Sequence, residues 1–140
     1  MRLLIFTGFL GSGKTTLLLQ AASHLASHSQ KVTIIENEIG EIGIDGQYLD
    51  LQGLKVQELF GGCVCCTLSV GLIETIDKIC DLGSPDWIIL EATGIARPKD
   101  ITGNLHRLKK EAADVQVVTV VDAGRYEMLM SVMEPLITGQ

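Results

Sequence analysis

The run Gly8-Phe-Leu-Gly-Ser-Gly13-Lys14-Thr15 fills every fixed position of the pattern G-x-x-x-x-G-K-[ST]. That composition suits phosphate chemistry. The glycines Gly8, Gly11 and Gly13 let successive backbone N–H groups turn toward phosphate oxygens. A helix that starts just behind them adds partial positive charge. The Lys14 ammonium can reach β- and γ-phosphates as a point charge, and the Thr15 hydroxyl can hold Mg²⁺. A merely structural glycine turn is the alternative. The context, an apolar strand before the run and an amphipathic helix after it, favours nucleotide binding.

A second constellation is Gly61-Gly62-Cys63-Val64-Cys65-Cys66. A bridge between the neighbours Cys65 and Cys66 is strained, and no segment points to an oxidising compartment. The three thiols can instead converge on Zn²⁺, Cu(I) or Co²⁺. In extended chain Cys63 and Cys65 project to one side. Cys66 joins them through a turn, and the glycine pair allows that approach. Three thiolates leave a fourth coordination position open, which suits a site that loads and unloads. A redox thiol and a core accident are the competing readings. Cys80 reads as a small buried apolar residue. His24 and His28, spaced i, i+4, have no acid beside them and lie off the leucine–alanine face, so they read as solvated, as does His106. No Ser-His-Asp arrangement is present.

A third signal is Trp87-Ile-Ile-Leu-Glu91, four apolar residues closed by an acid, followed by Ala-Thr-Gly94. The apolar part suits a buried strand whose acid emerges at its C-terminal end beside the phosphates. Glu91 and Gly94 have the spacing of the D-x-x-G switch of GTPases, with Glu for Asp. The acid can hold a Mg²⁺-bound water or orient the attacking one, and the glycine N–H can meet the γ-phosphate. Asp122 is either a further acid of the same site or a helix N-cap.

The elements that must position these residues follow from periodicity. Apolar runs predict strands over 2–7, 32–36, 55–60, 87–91 and 115–122, the last being the cleanest. Helical spacing predicts helices over 14–27 (Leu18, Ala21, Ala22 and Leu25 on one face) and 68–82 (Leu72, Ile76 and Ile79). Further helices are predicted over 100–112 and 125–133. Residues 37–54, with many Gly and Asp, read as a loop. Strands alternating with helices predict right-handed crossovers and a parallel sheet.

The 140 residues set a ceiling of one domain, and aromatics at only 4% require an aliphatic core. Charge is unevenly placed. Residues 1–35 carry three bases and no acid, residues 36–91 eleven acids and two bases, and residues 92–140 six of each. The acidic segment encloses all four cysteines, which suits either a cation site or a solvated acidic face. The net charge of -6 argues against a nucleic-acid binder. No apolar run reaches the roughly 18 residues of a membrane span. Leu3 to Leu10 resembles a signal core, but Lys14 follows and no small-residue cleavage pattern does, so a cytoplasmic protein is expected.

Taken together, T-G-F-L-G-S-G-K-T-T (7–16), E-N-E-I-G-E-I-G-I-D (36–45), G-G-C-V-C-C-T (61–67), E-A-T-G-I-A-R-P (91–98) and V-V-D-A (120–123) resemble the CobW family of GTP-dependent metallochaperones, relatives of the hydrogenase and urease maturation GTPases. The resemblance implies an α/β fold, a three-layer P-loop NTPase sandwich with a mostly parallel central sheet. It implies that Gly11, Ser12, Gly13, Lys14, Thr15 and Thr16 cradle phosphates and Mg²⁺. Glu36 to Glu41 would form a first switch, with Glu38 facing the Mg²⁺ region and Glu36 and Glu41 assisting related metal sites. Cys63, Cys65 and Cys66 would hold a cargo metal, and Glu91 and Gly94 would form the second switch. The family implies GTP hydrolysis, delivery of Zn²⁺ or Co²⁺ to a client metalloprotein, and nucleotide-dependent homodimers.

Two departures qualify the match. Family GTPases read guanine with N-K-x-D after a further strand, and this chain has no such motif. The family's C-terminal domain is also missing, so residues 1–140 are expected to be one C-terminally truncated GTPase domain. The rival readings are an ATP-using P-loop enzyme with structural cysteines, and a nucleotide- and metal-binding sensor without useful turnover.

Overall fold

Strands of a parallel sheet are covered on both faces, so their interiors are apolar at every position. β1 (Arg2–Thr7) is such a strand, buried from Leu3 onward. Its residues divide between two cores: Leu3 and Ile5 belong to one, Leu4 and Phe6 to the other. β4 (Trp87–Glu91) divides the same way, Ile88 and Leu90 against Trp87 and Ile89. The computed structural model describes residues 1–36, 55–58, 68–92, 98–110 and 112–131.

The described elements run β1, α1 (Lys14–Ser27), β2 (Val32–Glu36), β3 (Lys55–Glu58), α2 (Leu68–Gly83), β4, α3 (Pro98–Thr102), a 3₁₀ turn (Leu105–Arg107) and β5 (Asp114–Thr119). A helical segment, α4, occupies residues 126–131. The five strands pair in the order β3-β2-β4-β1-β5, all parallel. From β1 to β2 the chain passes over β4 in one direction, and from β3 to β4 it returns in the other. Right-handed crossovers then put the two connecting helices on opposite faces. The packing agrees: Leu18 and Ala22 of α1 lie in the core with Leu4 and Ile34, while Leu72, Ile76 and Ile79 of α2 lie in the core with Ile5 and Ile35. The fold is a P-loop NTPase sandwich of three layers. Among the described residues no helix is long and apolar enough to cross a membrane.

Most predicted elements fall where periodicity puts them, and two differ. The helix expected over 100–112 is a short α3 followed by the 3₁₀ turn. The Gly103 N–H closes α3 on Lys99 O (2.9 Å), and the Asn104 N–H turns back to Ile101 O (3.3 Å). Leu108 is then extended and buried, and the Lys109 N–H donates to Asp77 Oδ1 at 3.0 Å. A helix carried through these positions would lose both tertiary anchors. The second difference is β5. It is the cleanest strand signal in the sequence, yet Val115 and Val117 are exposed because β5 is paired on one side only among the described residues.

Candidate functional site

In an open parallel sheet, ligands bind beyond the carboxyl ends of the strands, where crossovers diverge. The glycine-rich run occupies that place, between the end of β1 and the start of α1. Gly8, Gly11 and Gly13 have φ of +131°, +74° and +92°. At Gly8 a side chain is also excluded by space, since a Cβ would collide with the Val120 carbonyl oxygen. The left-handed Gly13 starts α1 without a side-chain cap, and the first turn holds no acid. The helix N-terminus therefore keeps its partial positive charge for an external anion.

Lys14 is only 6% exposed. Its Nζ donates to Phe9 O at 3.1 Å and lies 4.0 Å from Glu91 Oε1. The Ser12 N–H also donates to Phe9 O, at 3.1 Å. The Thr15 hydroxyl stands 3.0 Å from both Glu91 carboxylate oxygens and donates to that group. Thr16 is exposed in the first turn of α1. Ser12 Oγ is buried and has no hydrogen-bond partner among the described residues. Burying a hydroxyl without a partner costs about 1–3 kcal/mol, and a phosphate oxygen in the loop would supply one. The threonine hydroxyl and glutamate carboxylate are hard oxygen donors held together, a donor set that fits Mg²⁺.

The structure thus brings Lys14, Thr15 and Glu91 together beside Gly8, Gly11, Ser12 and Gly13. Glu36 ends β2 in register with Glu91, and Glu58, which the sequence reading did not single out, ends β3 in register with Glu36. Gly94, Glu38, Glu41, Cys63, Cys65 and Cys66 lie outside the described residues. Among the described residues no three of His, Cys, Asp and Glu form a group able to hold a metal ion. Cys80 is buried, as expected, and burial pushes its thiol pKa up. His24, His28 and His106 are exposed.

Asp122 closes a turn ahead of α4 rather than capping that helix. Its Oδ1 accepts the Gly124 N–H at 2.9 Å just before α4, while Oδ2 accepts Arg125 Nε at 2.6 Å. The Arg125 guanidinium beside Asp122 holds its carboxyl below the usual carboxylate range, helped by the Gly124 N–H. Arg125 itself was missed in the sequence. Its Nη2 donates to Gly11 O at 2.9 Å and reaches Leu10 O at 3.5 Å. The only sequence trace of this is the i, i+3 acid–base pair Asp122–Arg125, which says nothing of a partner over a hundred residues away.

A parallel sheet, a glycine-rich strand-to-helix turn with Lys-Thr and an acid ending the neighbouring strand define a P-loop NTPase. The crystal structure of the signal recognition particle receptor FtsY from Elizabethkingia anophelis shares this fold, with a TM-score of 0.62 over 96% of this chain and 46% of that one, at 16% identity. FlhF complexed with GMPPNP/Mg²⁺ gives a TM-score of 0.51 over 84% of this chain and 44% of its own, also at 16% identity. The family model for the CobW/HypB/UreG nucleotide-binding domain matches residues 2–136, and the chain belongs to that family. It is 39% identical over 97 residues to the zinc chaperone YeiR of Escherichia coli, covering 69% of this chain and 29% of that protein. It is 35% identical over 136 residues to a zinc chaperone CobW of Sinorhizobium, covering 87% of this chain and 38% of the relative. The zinc-regulated GTPase metalloprotein activator 1 of Dictyostelium discoideum is 30% identical over 143 residues, covering 87% and 30%. The chain therefore spans about a third of the length of these relatives.

Proposed function

We propose that this chain is the nucleotide-binding part of a GTP-hydrolysing metallochaperone whose cargo site is the Cys63, Cys65, Cys66 cluster. The observation that carries the proposal is the buried Lys14 ammonium, set between Phe9 O and the Glu91 carboxylate, with Thr15 on that same carboxylate. A buried ammonium is costly unless it is paired, and the anion it awaits is the β,γ-phosphate group. Gly8, Gly11, Gly13 and Ser12 contribute the surrounding cradle, with Thr16 at its rim. Thr15 and Glu91 hold Mg²⁺, which when bound neutralises phosphate charge. Glu91 orients the attacking water, and the Gly94 N–H meets the γ-phosphate. GTP is preferred to ATP on the strength of the relative named a zinc-regulated GTPase.

Zn²⁺ is the first cargo to test, since YeiR and CobW are named zinc chaperones, and Co²⁺ is the second. The three thiolates take the ion, with Glu36 at the end of β2 and Glu41 assisting, while Glu38 faces the Mg²⁺ region. GTP orders the loops after β2 and β4, draws the cysteines together and tightens metal binding. Reciprocity then requires metal to tighten GTP binding. Hydrolysis relaxes the loops and releases the ion to a client metalloprotein, and a nucleotide-dependent homodimer is the form that presents it. Zn²⁺ affinity is measured by competition with a chromophoric chelator, once with a GTP analogue and once with GDP. The expected ratio is about tenfold; equal affinities refute the coupling.

A further inference from the structure

The glycine-rich loop is gripped from outside by a group with no place in the G-x-x-x-x-G-K-[ST] pattern. Arg125 follows β5 and precedes α4, whereas Glu91 ends β4, the strand on the other side of β1. Its guanidinium makes a two-sided bridge: Nε donates to Asp122 Oδ2 at 2.6 Å, and Nη2 donates to Gly11 O at 2.9 Å with Leu10 O at 3.5 Å. Asp122 is in turn fixed by the Gly124 N–H on its other oxygen. A trans peptide points a carbonyl and the following N–H in opposite directions. Holding the Leu10 carbonyl toward Arg125 turns the Gly11 N–H away from it. Holding the Gly11 carbonyl there turns the Ser12 N–H toward Phe9 O, where it is found. Phe9 O is also the acceptor for Lys14 Nζ. The chain of contacts runs from Asp122 through Arg125 to the loop carbonyls and on to the lysine's own partner. At Gly11 the fit is close, since a Cβ there would stand 3.1 Å from Arg125 Nη2.

We propose that Arg125, aligned by Asp122, is a positioning residue that presets the loop for phosphate. This rests on the reading of the loop as a nucleotide site. Among the described residues Arg125 meets the Asp122 carboxylate and the loop carbonyls, and it acts through the loop's shape. Its planar fork is what spans a carboxylate and a carbonyl at once; a lysine ammonium carries the charge without the fork. Preorganisation of this kind appears as slower release of the bound ligand.

The test compares unsubstituted protein, R125A, R125K, D122A and D122A/R125A for the dissociation rate and Kd of a fluorescent GDP, alongside the urea midpoint of the nucleotide-free protein. R125A is expected to raise the Kd about five- to tenfold through faster release, as one charge-assisted hydrogen bond allows, with the urea midpoint unchanged because the side chain is half-exposed. R125K is expected to recover little of the loss, and D122A/R125A to be no worse than R125A alone. A Kd within twofold of the unsubstituted value in R125A overturns the inference, as does full rescue by R125K or full additivity of the two alanine substitutions. Failure of the unsubstituted protein to bind guanine nucleotide overturns the underlying reading and this inference with it.

Discussion

The glycine-rich loop is held from two flanks by different chemistry. On the β4 flank the groups are charged and enclosed: Lys14 and Glu91 are 6% and 13% exposed, with Thr15 donating to the same carboxylate. On the β5 flank the contacts are mostly neutral. Thr7 and Thr119 share a hydroxyl–hydroxyl bond at 2.9 Å, the Val120 N–H donates to Thr7 O at 2.8 Å, and Gly8 lies against the Val120 carbonyl. The charges on that flank, Arg125 and its partner Asp122, are partly exposed, and Arg125 grips carbonyls. The β4 contacts are those an incoming phosphate and its cation would take over, whereas the β5 contacts can persist in every state. Substitutions on the two flanks should therefore separate chemistry from shape.

The largest effect is expected at Lys14. Removing the ammonium in Lys14→Ala takes away the one cation inside the loop, so GTP affinity should fall by about a thousandfold or more, the scale of a buried charge contact. A calorimetric titration in which the affinity is unchanged would remove the β4 flank from the comparison. Next is Glu91→Gln, which keeps an acceptor for Thr15 but removes the charge. Turnover should drop about a hundredfold, the lower scale of general-base contributions, while GDP affinity stays within a few-fold. A phosphate-release assay beside the nucleotide titration checks both halves, and parallel loss of binding and turnover would make Glu91 structural.

This asymmetry also explains what could be read in the sequence. The β4 flank was legible because its residues obey local rules: a fixed glycine–lysine spacing, and a buried strand that ends in an acid where it emerges. The two cores were legible for the same reason, since Leu3–Phe6 and Ile88–Leu90 are apolar at every position and helical spacing marks Leu72, Ile76 and Ile79. The β5 flank was not. Arg125 reads locally as a surface charge, and only the sheet order, which puts β5 beside β1, brings it to Gly11. The same tertiary logic shortened the helix expected over 100–112, because Leu108 and Lys109 find long-range partners that local propensity does not register. The cysteine cluster was legible as composition and spacing alone.

On the β5 flank, Arg125 apart, the expected effects are on stability. Gly8→Ala forces a side chain onto a backbone at φ +131° and against the Val120 carbonyl. The cost should be about 2 kcal/mol, within the range for backbone strain, read as a shift in the urea midpoint at constant slope. If the variant is as stable as the unsubstituted protein, the close approach of β1 and β5 is not a constraint. The smallest effect is expected at Thr119. Thr119→Val keeps the shape but removes the hydroxyl that partners Thr7, which is 3% exposed. The loss should be about 1 kcal/mol, the cost of one unmade hydrogen bond at a buried hydroxyl. Nucleotide affinity should stay within twofold, because the Thr7–Thr119 bond touches neither Lys14 nor the loop carbonyls that Arg125 holds. A large loss of GTP affinity without a loss of stability would mean that the β5 flank transmits to the phosphate site through Thr7 as well. The division between a chemical and a structural flank would then fail at the end of β1, where the two flanks meet.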